Sequence, residues 1–167
     1  MAMGGHQSQK SMKEEWLTPP EIIGALCPFD LDPCAPIVRP WSMAAAHYTI
    51  ADDGLKKPWH GMVWLNPPYS AKVGVWLKRL ADHGSGIALV FARTETSWFC
   101  DEVWNKASAI FFFRGRLHFH HVDGSRARAN AGAPSCLVAY GSEAARRIDI
   151  AQDAGIIEGN FVYLGVR

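Results

Sequence analysis

No apolar run in this chain approaches the ~18 residues a membrane span needs, and the N-terminus has no apolar core of a signal peptide. Neither a bilayer-crossing segment nor a secretory leader is expected. The four cysteines (Cys27, Cys34, Cys100, Cys136) include no C-x-x-C pair, which argues against a zinc or disulfide framework and for free thiols in a reducing cytoplasm. An excess of either charge is missing too. A net charge of +1 excludes a uniformly basic nucleic-acid binder, so any such surface must be local. Internal repeats and low-complexity tracts are absent. What remains is a globular composition, 49% hydrophobic and 20% charged over 167 residues, enough for one domain. We divide it into a flexible segment over 1–13 and a single domain over 14–167, with a basic loop at about 114–135.

Short apolar runs recur at Phe29–Leu31, His47–Ile50, Met62–Leu65, Ile87–Phe91, Ala109–Phe113 and Cys136–Tyr140, each of strand length. Between the third and fourth, Val73, Trp76, Leu77 and Leu80 take helical spacing and Gly84 supplies a stop. Between the fourth and fifth, Phe99, Val103 and Trp104 share one helical face. A further helix is expected after Thr18, read as its N-cap, with Pro19 at the first helical position and Glu21 completing a capping box. Continuous apolar strands alternating with amphipathic helices predict an α/β fold, a mostly parallel sheet with helices on both faces. Ligands in such sheets bind at the carboxyl ends of the strands. Those ends here read "LDPCA", "ADDGL", "LNPPY" and "VFARTET", so acids, an amide and Arg93 converge on one rim.

The stretch "VWLNPPYS" (Val63–Ser70) stops a strand on two prolines, which can neither continue a helix nor donate to a ladder. Each proline also holds the residue before it extended, giving a stiff finger tipped by Asn66. Alone, it reads as a plain turn between a strand and a helix; the acids and the arginine at the neighbouring strand ends point beyond that. Its chemistry suits an exocyclic aromatic amine such as adenine N6, whose lone pair is delocalised into the ring. Two acceptors on the two N–H bonds, Asn66 Oδ1 and the Pro67 carbonyl, can aim that lone pair at an electrophile, with Pro68 keeping them fixed. Tyr69 can stack on the base, which must first leave a duplex.

With these motifs assembled, the chain resembles the phage-type DNA N-6-adenine methyltransferases. The resemblance rests on W-x-T-P (Trp16, Thr18, Pro19), F-D-L-D-P (Phe29–Pro33), D-G-L followed by Trp (Asp53–Leu55, Trp59), V-W-L-N-P-P-Y-S, A-R-T-E-T-x-W-F (Ala92–Phe99) and G-R-L-x-F (Gly115–Phe119), in order from about Glu15 to Tyr140. It implies a Rossmann-like class I methyltransferase fold, S-adenosyl-L-methionine as cofactor, DNA as partner, and work in the cytoplasm of a bacterial host carrying a phage or prophage. It implies catalytic roles for Asn66, Pro67, Pro68 and Tyr69. On the cofactor it places Asp32 and Pro33 against the methionine part, Trp16, Thr18 and Pro19 closing over it, Asp53 on its adenine amine or ribose, and Asn66 at the junction. One departure is that "CAPIVRP" replaces the glycine-rich turn after Asp32-Pro33, so Cys34 and Ala35 would serve by being small.

The segment Arg114–Ser135 carries Arg114, Arg116, Arg126 and Arg128 with His118, His120 and His121, and reads as a mobile basic loop. With Arg93 and His118, those arginines are the expected DNA contacts; a merely solvated loop is the alternative. No cysteine or carboxylate stands at ligand spacing from the histidines, so no metal is expected. The sequence leaves open methylation of cytosine N4 or of protein glutamine, and a non-catalytic DNA-binding relative. It also leaves open the oligomeric state, with a monomer favoured, and a role in restriction-modification or in host epigenetics.

Overall fold

The computed structural model describes residues 16–165; the segment 1–13 expected to be flexible lies outside them. One seven-stranded sheet forms the centre. Its strands are β1 (Leu31–Asp32), β2 (Ala46–His47), β3 (Val63–Leu65), β4 (Gly86–Phe91), β5 (Ala109–Phe113), β6 (Ser135–Tyr140) and β7 (Gly159–Tyr163). They lie in the order β2-β1-β3-β4-β6-β5-β7. The pairings of β1 with β2, β1 with β3 and β3 with β4 are parallel. Those of β4 with β6, β5 with β6 and β5 with β7 are antiparallel.

The sheet is therefore mixed, not mostly parallel. The sequence could not distinguish the two because β6, like β4, is buried along its whole length. Burial on both faces produces a continuous apolar run whichever way the strand points. β7 escaped notice for the opposite reason: it is an edge strand with alternating, mostly exposed positions.

Helices cover both faces, as expected. On one side α1 (Pro20–Leu26) and α4 (Ser142–Asp153) bury Ile22, Ile23 and Leu26 with Ala144, Ala145, Ile148 and Ala151 against Trp64, Ile87, Leu89 and Phe111. On the other, α2 (Val73–His83) and α3 (Ser97–Phe99), which runs into a π-helical turn at Cys100–Trp104, bury Trp76, Leu77, Leu80, Phe99 and Val103 against Val63, Leu65, Val90 and Val138. α2 ends where expected: Gly84 is left-handed (φ 78°) and its N–H donates to the Leu80 carbonyl.

The start of α1 differs from the sequence expectation. Pro19 is the N-cap and Pro20 the first helical residue, with no side-chain cap. Thr18 precedes a proline, which disfavours helical backbone, and it is fully buried with its hydroxyl turned to Asn66. Among the described residues no helix is long and apolar enough to cross a membrane.

The connections position the site. From β1 the chain runs out to β2 at the sheet edge, then returns to β3 on the other side of β1. Loops leaving β1 and β3 at their carboxyl ends thus part in opposite directions and open a crevice between them, the usual ligand position in an open α/β sheet.

Candidate active site

A cavity of about 960 Å³ fills this crevice. β1 delivers Asp32, whose backbone pairs with β2 and whose carbonyl accepts from the Tyr48 N–H at 2.9 Å. Its carboxylate is 2% exposed. Burial pushes its pKa up to about 7, against the smaller opposing effects of the Cys34 N–H, donating at 3.1 Å, and the Arg39 charge. It is a carboxyl group that titrates near neutrality on the floor of a cavity.

Cys34 ties this strand end to the finger. Its thiol donates to the Asn66 carbonyl at 3.2 Å. Burial and the neighbouring Asp32 charge hold the thiol protonated by raising its pKa. The small residue proposed to stand in for a glycine is therefore a tie between β1 and β3. A close approach within the chain is made by Gly54 of the "DGL" stretch: a Cβ there would sit 1.9 Å from the Pro33 carbonyl oxygen. No side chain fits, so that loop can lie against Asp32–Cys34 only with glycine. Trp59 Nε1 fixes the same loop by donating to the Gly54 carbonyl at 2.8 Å.

Asn66 carries the chemistry. Its Nδ2 lies 3.4 Å from both the Trp16 carbonyl and Thr18 Oγ1. A carbonyl can only accept, so this contact fixes the amide with nitrogen toward Trp16 and oxygen away. The Oδ1 so displayed is buried and, among the described residues, has no partner. Leaving such an acceptor unmatched costs about 1–3 kcal/mol. Beside it, the Pro68 carbonyl is taken by the Ser70 N–H, whereas among the described residues nothing donates to the Pro67 carbonyl. Two adjacent acceptors on a proline-stiffened turn thus stand open. Tyr69 also lines the cavity, stacked on Phe91 at 4.1 Å and 12° between planes, with Phe119 edge-on at 6.3 Å. Its hydroxyl is buried without a partner among the described residues, and burial holds it protonated.

Of the other expected positions, Trp16, Pro33, Ala35 and Asp53 line the cavity. Asp53 adopts a left-handed φ of 54° and pairs with Lys56 at 2.8 Å, which holds its carboxylate below the usual range. Thr18 and Pro19 do not line it; Thr18 stands behind Asn66 and Pro19 caps α1. Arg93, Arg114, Arg116, His118, Arg126 and Arg128 also lie off the cavity walls. All five arginines are exposed, and Arg116 is held by a 3.0 Å bond to the Ala131 carbonyl.

Their loop is better anchored than its composition suggested. His120 pairs with Leu17 through two backbone bonds of 2.8 and 3.0 Å, and Phe119, Ala127, Ala131 and Ala133 are buried. This docking brings His121 and Val122 to the cavity wall, with His121 4.8 Å from the Trp16 ring. No local signal marks those two residues; only the loop's return to Leu17 places them. Lys72 and Trp76 reach the wall from α2. Among the described residues no group of three or more His, Cys, Asp or Glu could hold a metal ion.

Residues 5–152 match the family model of the DNA N-6-adenine-methyltransferases (Dam). The chain belongs to the Dam family. Its activity is methyl transfer to adenine N6 in DNA, which sets aside the cytosine, glutamine and non-catalytic alternatives. No curated protein and no solved structure matches it significantly. The Dam match spans the crevice, the Asn66 finger and the basic loop, and stops at the end of α4, short of the edge strand β7.

Proposed function

We propose that this Dam-family enzyme takes its methyl group from S-adenosyl-L-methionine and transfers it by way of the Asn66 finger. The observation that carries the reading is the buried Asn66 Oδ1, unpartnered among the described residues and held in orientation by the Trp16 carbonyl. The residues fit the cofactor. A carboxyl group on the cavity floor suits its cationic end, and Ala35, Pro36, Met43 and Ile50 offer apolar wall to its flat base. When bound, it supplies an electrophilic methyl group on a sulfonium centre.

The protein's part is positioning. Asn66 Oδ1 and the Pro67 carbonyl each accept one N–H of the adenine amine. They draw the nitrogen out of conjugation and turn its lone pair toward the methyl group. Because Asn66 is neutral, no charge must be desolvated at that point. Both acceptors are fixed before the base arrives, so no reorganisation accompanies the reaction. Tyr69, already backed by Phe91, gives the base an aromatic surface once it has left the duplex. Thr18 positions Asn66, Cys34 holds the finger to β1, and His121 with Trp16 closes the mouth over the cofactor. Arg126 and Arg128 hold the DNA backbone, Arg93, Arg114 and His118 are further DNA contacts, and Arg116 touches the extruded nucleotide or its flank. We place this work in the cytoplasm of a bacterial host, by a monomer encoded by a phage or prophage.

The test is incubation of the full chain with labelled S-adenosylmethionine and unmethylated DNA, followed by nucleoside mass spectrometry. Label in N6-methyladenine that is lost in Asn66→Ala, with cofactor affinity retained, is expected. Equal turnover by that variant would make the finger structural only.

A further inference from the structure

Of the exposed large apolar side chains, Val75, Ile150 and Ile156 stand singly, Val162 and Tyr163 are successive residues of the edge strand β7 and so point to opposite faces, and Ile50 lines the cavity. Ile37 and Val38 are different. They are adjacent, 59% and 62% exposed, and sit at the tip of the "APIVRPW" segment that leaves β1. That segment starts at the cavity, where Ala35 and Pro36 form part of the wall.

The tip is also braced. Pro36 and Pro40 restrict it from both ends. Arg39 Nη1 donates back to the Pro36 carbonyl at 2.7 Å and to the Ile37 carbonyl at 3.5 Å, turning the apolar pair outward over a guanidinium bridge. Behind it, the Trp41 ring meets His120 edge-on at 5.5 Å. Gly124 packs so closely that a Cβ there would lie 3.1 Å from Pro40 Cγ. The apolar tip therefore stands beside the basic loop, where His120 bridges to the exposed Arg126.

A stiff apolar projection flanked by cations, next to a cavity for an extruded base, matches one physical need. Adenine N6 cannot react inside a stack, and removing the base leaves an apolar gap between its neighbours. Proteins that distort duplexes commonly fill such a step with Ile, Leu, Met or Pro while cations hold the phosphates. We infer that Ile37 and Val38 form a wedge that enters the DNA duplex at the target step and stabilises the extruded adenine. The inference rests on reading the cavity as the seat of that base. The occupant is the substrate duplex, because the tip, the cavity mouth and the basic loop are contiguous.

The test uses the full chain with S-adenosylmethionine and one preparation of unmethylated genomic DNA, native or heat-denatured, and measures initial rates of N6-methyladenine formation. The Ile37→Ala/Val38→Ala double variant should lose about ten-fold on native DNA and stay within about two-fold of wild type on denatured DNA. Ile37→Leu, which conserves volume, should retain the native rate. The melting temperature of both variants should equal that of the wild type, since the replaced groups are exposed.

Equal loss on both substrates would make the tip part of the cofactor or base site and overturn the wedge. Undiminished activity on native DNA would overturn it as well, as would a wild-type enzyme that works only on denatured DNA. A change in sedimentation without the native-specific loss would assign the tip to contacts between copies. Failure of the wild type on both DNAs would overturn the reading of the cavity itself, a result distinct from all the others.

Discussion

The Asn66 finger and the basic loop lie on the same rim, yet they are built differently. Around the finger, nearly every polar group has a fixed role: Nδ2 on Trp16 and Thr18, the Asn66 carbonyl on Cys34, the Pro68 carbonyl on Ser70. What is left over is an open acceptor pair and the buried Tyr69 hydroxyl. In the loop the backbone is anchored, but the side chains of Arg114, Arg126 and Arg128 make no hydrogen bond among the described residues and are exposed. The contrast separates chemistry from capture. Atoms that act on the reacting nitrogen must be fixed before it arrives, because reorganisation adds to the barrier. Cations that meet a regularly charged backbone can adjust on contact.

The strongest way to break this contrast is at its fixed end. Asn66→Ala should lower turnover by about 10²–10³, corresponding to about 2.7–4 kcal/mol, while leaving cofactor affinity within about two-fold by calorimetry. Retention of more than about a tenth of turnover would mean that the open acceptor is not what drives the reaction.

Asp32 gives the next effect, and its sign follows from burial. The carboxyl group ionises near 7 in the folded protein and near 3.8 when exposed. A cationic ligand binds its ionised form, so wild-type affinity for S-adenosylmethionine should rise with pH by up to about ten-fold per unit below 7 and flatten above it. Asp32→Asn should bind weakly at every pH with no such slope. In the absence of ligand the folded state holds the extra proton between about pH 4 and 7. Stability should therefore fall as pH rises through that window, and Asp32→Asn should remove the fall. Chemical denaturation of the two proteins at pH 5 and pH 8 measures the difference.

Thr18→Val sharpens the comparison within the site. It keeps side-chain volume but removes one partner of the Asn66 amide, worth about 0.5–1.5 kcal/mol. Turnover should drop about three- to ten-fold, with cofactor affinity unchanged. A residue that closed over the cofactor directly would show the reverse pattern.

The arginines should give the smallest single effects. Arg126→Ala and Arg128→Ala should each weaken DNA binding on all sequences alike, and reduce the slope of log affinity against log salt by about one unit. Arg116, bonded to the Ala131 carbonyl, is less free to meet a phosphate, and Arg116→Ala should change that slope less. A filter-binding salt series on matched and mismatched duplexes distinguishes them.

Local signals in the sequence settled much of this. Two prolines after an apolar triplet end β3 and stiffen the finger whatever surrounds them, because their constraint is covalent. Gly84 stops α2 because only glycine takes that backbone at little cost, and the spacing of Val73, Trp76, Leu77 and Leu80 fixed which face is buried. Asp32 and Asn66 stood out because the first ends a buried strand and the second directly follows one. Other features are long-range and were decided by tertiary structure alone. Pairing direction is one: β6 runs against β4, yet its composition answers to the helices above and below it. Thr18 looks like a helix cap until the chain folds and sets its hydroxyl against an amide 48 residues away. Gly54 lies against Pro33, His121 and Val122 reach the cavity through Leu17, and the segment that carries Ile37 and Val38 starts from its wall at Ala35 and Pro36. Such contacts join groups distant in the chain, and no periodicity or spacing encodes them; they arise from the sheet order that brings β1 and β3 side by side.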